Sequence, residues 1–322
     1  PPMAPSVRAV GITRFGGPEV LEVVELPEQH PGPGEIRVRV SAATVNPTDV
    51  AFRQGRRSAM FEGHPPPYVP GMELAGIVEA LGPADGSSGP SWRVGDEVVA
   101  IVVPGPSTRG AQAESVVVPA SSAAPLPPGA SFAEGATLPM NGLTVRLGLE
   151  LAGLAAGQVL GVTGAAGAVG GYAIELGKLA GLRVVADASE ADRDLVRRLG
   201  ADVVVPRGPA AGAAMREAFP DGVDAVLDAA LMNQAILPAV SDGGTVVALR
   251  PFQGESERGI EIKPVLVAEH AKSAAALAEL SRLAGEGRLT LRVARTLPLE
   301  SVAEAHRLLE AGGMRGRLVI EL

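Results

Sequence analysis

Short apolar segments separated by turns dominate the first third of the chain. Five of them have the length and composition of strands: Val20–Leu26, Ile36–Val40, Leu74–Ala80, Val98–Val103 and Val116–Pro119. In the second of these, apolar and polar residues alternate, which is typical of a half-buried strand. Turns rich in glycine and proline, such as HPGPGE, separate the segments. This pattern predicts an antiparallel, barrel-like β domain.

After Ala124–Pro128 the pattern changes to alternating helices and strands. The predicted helices are Phe132–Leu138, Leu143–Ala152, Ala168–Ala180 and Ala191–Leu199, and the predicted strands are Val159–Thr163, Arg183–Ala186, Val203–Val205, Val223–Leu227 and Thr245–Leu249. Such alternation predicts βαβ units and a parallel sheet covered by helices on both faces. We expect Thr245–Leu249 to form the edge of that sheet.

The last part of the chain is predicted to return to the first domain. It holds a helix around Ala274–Gly285, a second around Ser301–Gly312 and a closing strand Arg317–Ile320. The predicted fold is therefore of the α/β class, with one domain formed by 1–126 and 262–322 and a second, inserted domain at 127–261. A length of 322 residues fits two domains.

Composition narrows the possible functions. The net charge of −8 argues against a nucleic-acid partner, because phosphate binding depends on clustered cations. No apolar run is long enough for a bilayer, and the N-terminal PPMAPSVRAV lacks the plan of a signal peptide, so we expect a cytoplasmic protein without a membrane partner. The chain has no cysteine, which excludes disulfides, thiolate zinc sites and a cysteine nucleophile.

One segment carries recognisable chemistry. Val159–Gly170, VLGVTGAAGAVG, is a strand followed by a glycine turn and a helix, the context that a dinucleotide-binding fingerprint requires. Its first glycine permits a tight turn, its second lets the backbone approach a pyrophosphate, and its third lets the helix pack on the strand. The cofactor-binding candidates in this turn are Gly164, Ala166, Gly167, Ala168, Val169 and Gly170.

These motifs resemble the zinc-free quinone oxidoreductases (zeta-crystallin-like) of the medium-chain dehydrogenase/reductase superfamily. Besides the glycine turn, the resemblance rests on FGGPEVLEV (15–23), VNPTD (45–49), VPGMELAGIV (69–78), GDEV (95–98), GAQAE (110–114), NGLT (141–144), LGAD (199–202) and PLESVAEAHRLLEAG (298–312). It implies a split GroES-like β-barrel catalytic domain with an inserted Rossmann doubly wound parallel sheet. It also implies an enzyme, an NADPH-dependent reductase.

The resemblance predicts that no metal is bound. Zinc-containing members of the superfamily carry a cysteine where this chain has Asn46, and Gly-His-Glu where it has Gly71-Met72-Glu73. The structural zinc lobe would fall near 82–95, where there is no cysteine, and the four histidines do not cluster in the sequence.

The choice between NADP(H) and NAD(H) depends on the end of the second strand. An acidic residue there selects NAD, and a basic environment selects NADP. In the family register Asp187 falls one residue before the discriminating position, which turns its side chain away from the ribose. Ser189 and Asp192 fit a helix-capping pair, whereas Arg193 and Arg317 match family positions near the 2′-phosphate. Arg207 and Leu249 complete the cofactor-binding candidates. NADP(H) is preferred, with NAD(H) as the alternative.

The catalytic candidates follow from the resemblance. Family members place the equivalents of Asn46 and Thr144 close to the nicotinamide, and Asn46 also near the acceptor. Many relatives carry a tyrosine after the segment matching Arg53-Gln54-Gly55, whereas this chain continues with Arg56. Three alternatives to that tyrosine remain open. Tyr68 takes its place as the proton donor, Arg56 changes the shape of the acceptor pocket, or water supplies the proton. Asp49 is expected to be structural.

Three functions remain open. The first is hydride transfer to a quinone or related conjugated carbonyl, which needs no placed acid because the reduced oxygens collect protons from solvent. The second is reduction of an enone or enoyl intermediate of metabolic or polyketide type, where a placed donor helps more. The third is a non-catalytic NADPH-binding protein of the crystallin type. We further expect a homodimer formed through the unpaired edge of the parallel sheet.

Overall fold

The computed structural model describes residues 5–322 and contains fifteen strands and eight α-helices in that range. The strands are β1 (Ser6–Ile12), β2 (Leu21–Pro27), β3 (Glu35–Val45), β4 (Glu73–Leu81), β5 (Glu97–Ile101), β6 (Ser115–Pro119), β7 (Ala123–Pro125), β8 (Val159–Thr163), β9 (Arg183–Ala188), β10 (Val203–Pro206), β11 (Val223–Asp228), β12 (Val240–Ala248), β13 (Glu261–Pro264), β14 (Val293–Pro298) and β15 (Arg317–Glu321). The helices are α1 (Pro47–Arg53), α2 (Phe132–Ala136), α3 (Pro139–Ala152), α4 (Ala168–Leu179), α5 (Arg193–Leu199), α6 (Ala211–Ala218), α7 (Ala274–Gly285) and α8 (Val302–Ala311).

These elements form two compact units. Unit 1 runs to Met140 and includes Ala268–Gly287 and Leu291–Leu322, and unit 2 consists of Asn141–Val267 with Arg288–Thr290. The domain boundaries expected from the sequence, after 126 and after 261, differ from the limits of these compact units and remain predictions.

Unit 1 is built on antiparallel strands. Its main sheet has the order β14-β15-β3-β4-β5-β7, with β6 paired to β3, and β1 and β2 form a separate two-stranded ribbon. The closing strand β15 pairs with β3 in antiparallel register, with Leu318 opposite Val45. The carboxyl end of β3, where α1 begins, therefore lies beside residues that come more than 270 positions later in the chain.

Unit 2 contains a six-stranded sheet in the order β10-β9-β8-β11-β12-β13, and all five pairings are parallel. Counted from β8, this is the order 3-2-1-4-5-6 of a doubly wound fold, whose direction reverses between β8 and β11. The strands read as short apolar runs because both faces of the sheet are buried. Val162, Val185, Val226 and Val246 are all fully buried. The predicted parallel sheet is therefore confirmed.

One expectation about this sheet is wrong. The strand expected at Thr245–Leu249 is β12 (Val240–Ala248), and it lies inside the sheet because β13 pairs with it. The edge on this side of the sheet is β13, whose sequence EIKP has two charged residues and a proline and so lacks the pattern of a strand. Its pairing with β12 supplies the extended conformation that the local sequence does not specify.

In residues 5–322 no helix is both long enough and apolar enough to cross a membrane.

Candidate active site in two parts

The glycine turn of unit 2 connects β8 to α4. Gly164 has a φ of +64°, the left-handed region in which a side chain is strained. A Cβ at Gly170 would stand 2.2 Å from the carbonyl oxygen of Gly164 and 2.6 Å from the Cα of Ala165. Only glycine at this position allows the first turn of α4 to pack so closely on the end of β8.

The same turn leaves its outer face open. Gly167 is exposed, and its N–H donates to the carbonyl of Gly164 at 3.0 Å, while Ala166, Ala168 and Val169 are half-buried. Helix α4 begins at Ala168, so its amino end presents backbone N–H groups and a positive dipole end. A dinucleotide pyrophosphate fits this turn because Gly167 has no side chain to occupy the space through which the phosphates approach.

Asp187, at the end of β9, is turned towards the glycine turn. Its Oδ1 accepts a hydrogen bond from the N–H of Ala165 at 3.1 Å, and its side chain is buried. Burial raises the pKa of Asp187, against the backbone donors Ala165 and Gly164 and the charge of Arg207, which lower it. In this structure Asp187 stabilises the glycine turn, because its Oδ1 accepts the hydrogen bond from Ala165.

Two arginines lie at the carboxyl end of β9. The N–H of Arg207 donates to the carbonyl of Ala188 at 3.0 Å, and its side chain is exposed. Arg193 begins α5, and its Nε lies 3.9 Å from Glu190 Oε2. Ser189 stands at the N-cap and donates to Asp192 Oδ2 at 3.0 Å, a bond between side chains and not a side-chain cap on the helix backbone. The end of β9 thus brings these two arginines together with the carboxylates of Asp187, Glu190 and Asp192.

A residue missed by the sequence analysis, Asp228, organises the end of β11. Its Oδ1 accepts from Thr163 Oγ1 at 2.7 Å and from the N–H of Met232 at 3.0 Å, and its Oδ2 accepts from the N–H of Asn233 at 2.8 Å. These bonds hold the loop after β11 beside Gly164, at the point where the strand order reverses. An aspartate that ends an apolar strand, as in Val-Leu-Asp, was the available signal.

The remaining candidates of unit 2 are Thr144 and Leu249. Thr144 is half-buried in α3, and Leu249 is half-buried directly after β12. Because parallel strands end at one edge of the sheet, Leu249 lies on the same edge as the glycine turn and Asp187. The structure therefore brings the turn, Asp187, Ser189, Arg193, Arg207 and Leu249 to one edge of unit 2.

Asn46, in unit 1, lies between β3 and α1 and is buried. Its Oδ1 accepts from Arg317 Nη2 at 2.5 Å, and its Nδ2 donates to Thr44 Oγ1 at 3.2 Å. Its backbone N–H donates to Asp49 Oδ2 at 2.8 Å. Both ends of the Asn46 amide are therefore engaged by the surrounding side chains.

Glu73 connects these groups, although the sequence analysis assigned it no role. Its Oε1 accepts from Arg317 Nη2 and from Thr44 Oγ1, both at 2.6 Å, and its Oε2 accepts from the N–H of Met140 at 2.7 Å. Arg317 Nη1 donates to the carbonyl of Thr137 at 3.1 Å. We call Thr44, Asn46, Glu73 and Arg317 the Asn46 network.

The position of Arg317 corrects the expectation that it binds a cofactor phosphate. Its guanidinium is buried in unit 1 and is committed to Glu73, Asn46 and Thr137. Releasing it would leave the Glu73 carboxylate buried without a counter-charge, which is strongly unfavourable. Arg317 takes this place because β15 pairs with β3.

Asp49 is structural in its contacts, as expected. Its two carboxylate oxygens accept from the N–H groups of Asn46 and Gly71 at 2.8 and 2.9 Å. Burial raises the pKa of Asp49 to about 7, even though these two donors lower it. Asp49 thereby joins the turn that carries Asn46 to the segment before β4.

Tyr68 belongs to an aromatic cluster and has an occupied hydroxyl. Its ring lies 4.4 Å from that of Phe61 and 5.9 Å from that of Phe15, measured between centroids. Its Oη donates to the carbonyl of His64 at 2.7 Å. The proton needed for acid catalysis is thus used in a backbone hydrogen bond in this structure.

The residues at the superfamily's zinc position do not fit a zinc ion. Asn46 and Met72 replace two ligands, and the Asn46 amide is held by Arg317, a cation. Within residues 5–322 no group of three or more histidine, aspartate or glutamate side chains could hold a metal ion.

Two family models match the chain, one in each part of the sequence. The model of the alcohol dehydrogenase GroES-like domain matches residues 32–128, and the model of the zinc-binding dehydrogenase matches residues 199–320.

Curated relatives include reductases of two kinds. A chloroplastic quinone-oxidoreductase homolog of Spinacia oleracea is 32% identical over 245 residues, which cover 73% of this chain and 72% of that protein. A chloroplastic NADPH-dependent alkenal/one oxidoreductase of Arabidopsis thaliana is 34% identical over 244 residues, which cover 73% of this chain and 60% of that protein.

Solved structures share the fold over the whole chain. The crystal structure of an NAD-dependent alcohol dehydrogenase matches with a TM-score of 0.84 and 32% identity, covering 98% of this chain and 99% of that one. The quinone oxidoreductase from Coxiella burnetii matches with a TM-score of 0.85 and 26% identity, covering 99% and 100%. The predicted architecture, a GroES-like part with an inserted Rossmann sheet, is confirmed.

Proposed function

The chain belongs to the medium-chain dehydrogenase/reductase superfamily as a homologue of its quinone oxidoreductases and is an oxidoreductase, and we propose that it transfers hydride from NADPH to a quinone. The observation that carries the proposal is the glycine turn Gly164–Gly170 with two cations, Arg193 and Arg207, at the end of the neighbouring strand. When bound, the nicotinamide supplies the hydride, and the protein binds, orients and excludes water.

NADPH is proposed over NADH because of the charges at the end of β9. A free acidic side chain there would select NADH, but Asp187 accepts from the N–H of Ala165. Arg207 and Arg193 offer guanidinium groups for a 2′-phosphate. The similarity to an NAD-dependent alcohol dehydrogenase keeps NADH as the alternative that the experiment must test.

A quinone is proposed as acceptor because neither tyrosine is available as a placed acid. Tyr68 donates to the carbonyl of His64, and Tyr172 is buried within α4. A reduced quinone collects its protons from water, so it needs no such acid. An enone takes its second proton on carbon, where a placed donor contributes more. The alkenal/one oxidoreductase relative supports an enone as the second candidate.

We also propose roles for individual residues. Asn46 contacts the acceptor, Thr144 the nicotinamide, and Leu249 the cofactor at the edge of the sheet, as the family resemblance implies. Tyr68 becomes a proton donor only if its bond to His64 opens. A homodimer and a cytoplasmic location remain predictions.

The test of the function is a comparison of initial rates. We expect faster oxidation of NADPH than of NADH, and faster turnover with 1,4-benzoquinone than with an α,β-unsaturated ketone. Preference for the ketone would transfer the assignment to enone reduction. Tight binding of NADPH without oxidation by either acceptor would support the non-catalytic, crystallin-type alternative and contradict the proposal.

Cofactor selection is tested by removing the two cations. We expect Arg193→Ala and Arg207→Ala each to raise the KM for NADPH about tenfold, because a charge-assisted hydrogen bond contributes about 1.5–3 kcal/mol. The KM for NADH should stay within about twofold, since NADH lacks the phosphate. Arg198→Ala is the matched control, because Arg198 is an exposed arginine of the same helix as Arg193. Equal effects on both cofactors would contradict this role.

A further inference from the structure

The orientation of the Asn46 amide is determined by its neighbours. A guanidinium has only donors, so the atom that Arg317 Nη2 contacts must be the carbonyl oxygen of the amide. The amide nitrogen then faces Thr44 Oγ1, whose own proton goes to Glu73 Oε1 at 2.6 Å. A flipped amide would place two donors against each other at Arg317.

The charges that impose this orientation are deeply buried. The side chain of Glu73 is 0% exposed and that of Arg317 is 8% exposed. Such a pair contributes little net stability compared with packed apolar residues of similar volume, because both ions lose their hydration. The net stability of such a pair therefore does not by itself account for its place beside Asn46.

The network leaves one hydrogen of the amide unused. Among the described residues Asn46 Nδ2 donates one hydrogen bond, to Thr44, and an amide nitrogen carries two hydrogens. The cation on the carbonyl oxygen polarises the amide and strengthens its N–H groups as donors. The Asn46 amide is thus prepared to donate to an oxygen that becomes negative.

We propose that Glu73 and Arg317 are positioning residues, which lock the Asn46 amide so that its free Nδ2–H donates to the acceptor oxygen. As hydride adds to the acceptor, one electron pair moves to that oxygen, and water later supplies the proton. Asn46 is the catalytic residue in this scheme, and Arg317, Glu73 and Thr44 act through it. The proposal rests on the proposed function, in which Asn46 contacts the acceptor.

The test is a double-mutant cycle on kcat. Asn46→Ala should lower kcat about 100-fold, as removal of one donor to a developing oxyanion does. Arg317→Lys should lower kcat about tenfold or more in the wild-type background, with the KM for NADPH within about twofold. In the Asn46→Ala background the same Arg317→Lys change should alter kcat less than about twofold, because the group through which Arg317 acts is gone.

Three further variants separate positioning from folding. Thr44→Val removes the partner of Asn46 Nδ2 and one hydrogen bond to Glu73 but keeps both ions of the pair, and Thr44→Ser restores the hydroxyl. We expect Thr44→Val to lower kcat and Thr44→Ser to recover it. If Arg317→Lys does not fold, Thr44→Val replaces it in the double-mutant cycle with Asn46→Ala. Arg53→Lys is the control, because Arg53 is equally buried and is paired with Glu310. It should lower stability and leave kcat unchanged.

The outcomes are distinguishable. If the fold-changes in kcat of Arg317→Lys and Asn46→Ala multiply in the double variant, the two residues act independently and the positioning role is overturned. An unchanged kcat in Asn46→Ala overturns it as well. In both cases the proposed function stands, provided that the wild-type enzyme reduces quinone. A wild-type enzyme that reduces no acceptor overturns the proposed function and this inference together.

Discussion

Arg53 and His306 form a second buried polar group in unit 1, apart from the Asn46 network. Arg53 Nη2 and Nη1 donate to the two carboxylate oxygens of Glu310 at 2.8 and 3.1 Å, and Nη1 lies 3.3 Å from His306 Nδ1. Because arginine cannot accept, His306 Nδ1 must be the acceptor and Nε2 must carry the proton of the neutral ring. That Nε2 is buried and has no partner among the described residues.

This arrangement makes stability depend on pH. Burial, and secondly the charge of Arg53, lower the pKa of His306 to about 4, whereas a histidine in the unfolded chain titrates near 6.5. The folded protein therefore prefers the neutral ring. Its stabilising contribution is complete above pH 6.5 and is lost as the pH falls from 6.5 through 4, up to about 3 kcal/mol.

We expect His306→Asn to remove this dependence. Asparagine keeps an acceptor near Arg53 but does not titrate, so the free energy of unfolding by urea should fall less between pH 7 and pH 4.5 than in the wild type. His270→Asn, an exposed histidine, is the control and should keep the wild-type slope. An identical loss of stability in His306→Asn and wild type would contradict the assignment.

At the scale of elements, two glycines in the connection between β8 and α4 are under different structural constraints. Gly170 is required for packing, since a Cβ there meets two backbone atoms of the turn. Gly167 has a φ of −77°, which any residue adopts, and a Cβ there meets only the Gly164 carbonyl at 3.2 Å. The fold therefore requires glycine at 170, whereas at 167 it tolerates a small side chain.

Alanine substitutions should separate these roles. Gly170→Ala should lower the free energy of unfolding by about 3 kcal/mol, because backbone must move. Gly167→Ala should change it by less than about 1 kcal/mol but weaken NADPH binding about tenfold, because the methyl group occupies the approach of the pyrophosphate. Urea unfolding and titration of NADPH fluorescence measure the two effects. Unchanged binding in a folded Gly167→Ala variant would contradict the placement of the cofactor.

The sequence predicted the elements around this turn closely and the Asn46 network poorly. Val159–Thr163 agrees with β8 residue for residue, because a buried strand is specified by its own apolar run. β13 was missed, since its conformation depends on β12. The role of Arg317 was missed for a similar reason: its partner Glu73 lies 244 positions earlier, and no local pattern joins them.

At the scale of the whole molecule, β13, like β10, is one of the two edge strands of the parallel sheet in unit 2. It is only four residues long, its Glu261 is exposed, and Leu266 just beyond it is 53% exposed. β13 is short and carries two charges and a proline, which are features that limit edge pairing in natural sheets, so the case for a second copy rests on the apolar neighbour Leu266. The homodimer remains our prediction, now through β13 and not through the strand first expected.

A cysteine-free chain allows a direct test of this pairing. Single variants Glu261→Cys and Lys263→Cys should give disulfide-linked dimers under mild oxidation, because each introduces the only thiol of its chain. Ser87→Cys, exposed in unit 1, is the control and should stay monomeric on a non-reducing gel. Light scattering that gives the 32.6 kDa mass of one chain would contradict the dimer.

The pairing of Glu73 with Arg317 has a consequence for biosynthesis. At a translation rate of about 5–20 residues per second, the ribosome adds Arg317 about 12–50 s after Glu73, since 244 positions separate them. During that interval the carboxylate has no guanidinium to neutralise it, and β3 has no β15 beside it. The nascent Rossmann part, whose strands β8–β13 are consecutive in the chain, can complete its sheet first. Unit 1 therefore matures last, and an incomplete chain that lacks Arg317 lacks the contact that orients the Asn46 amide.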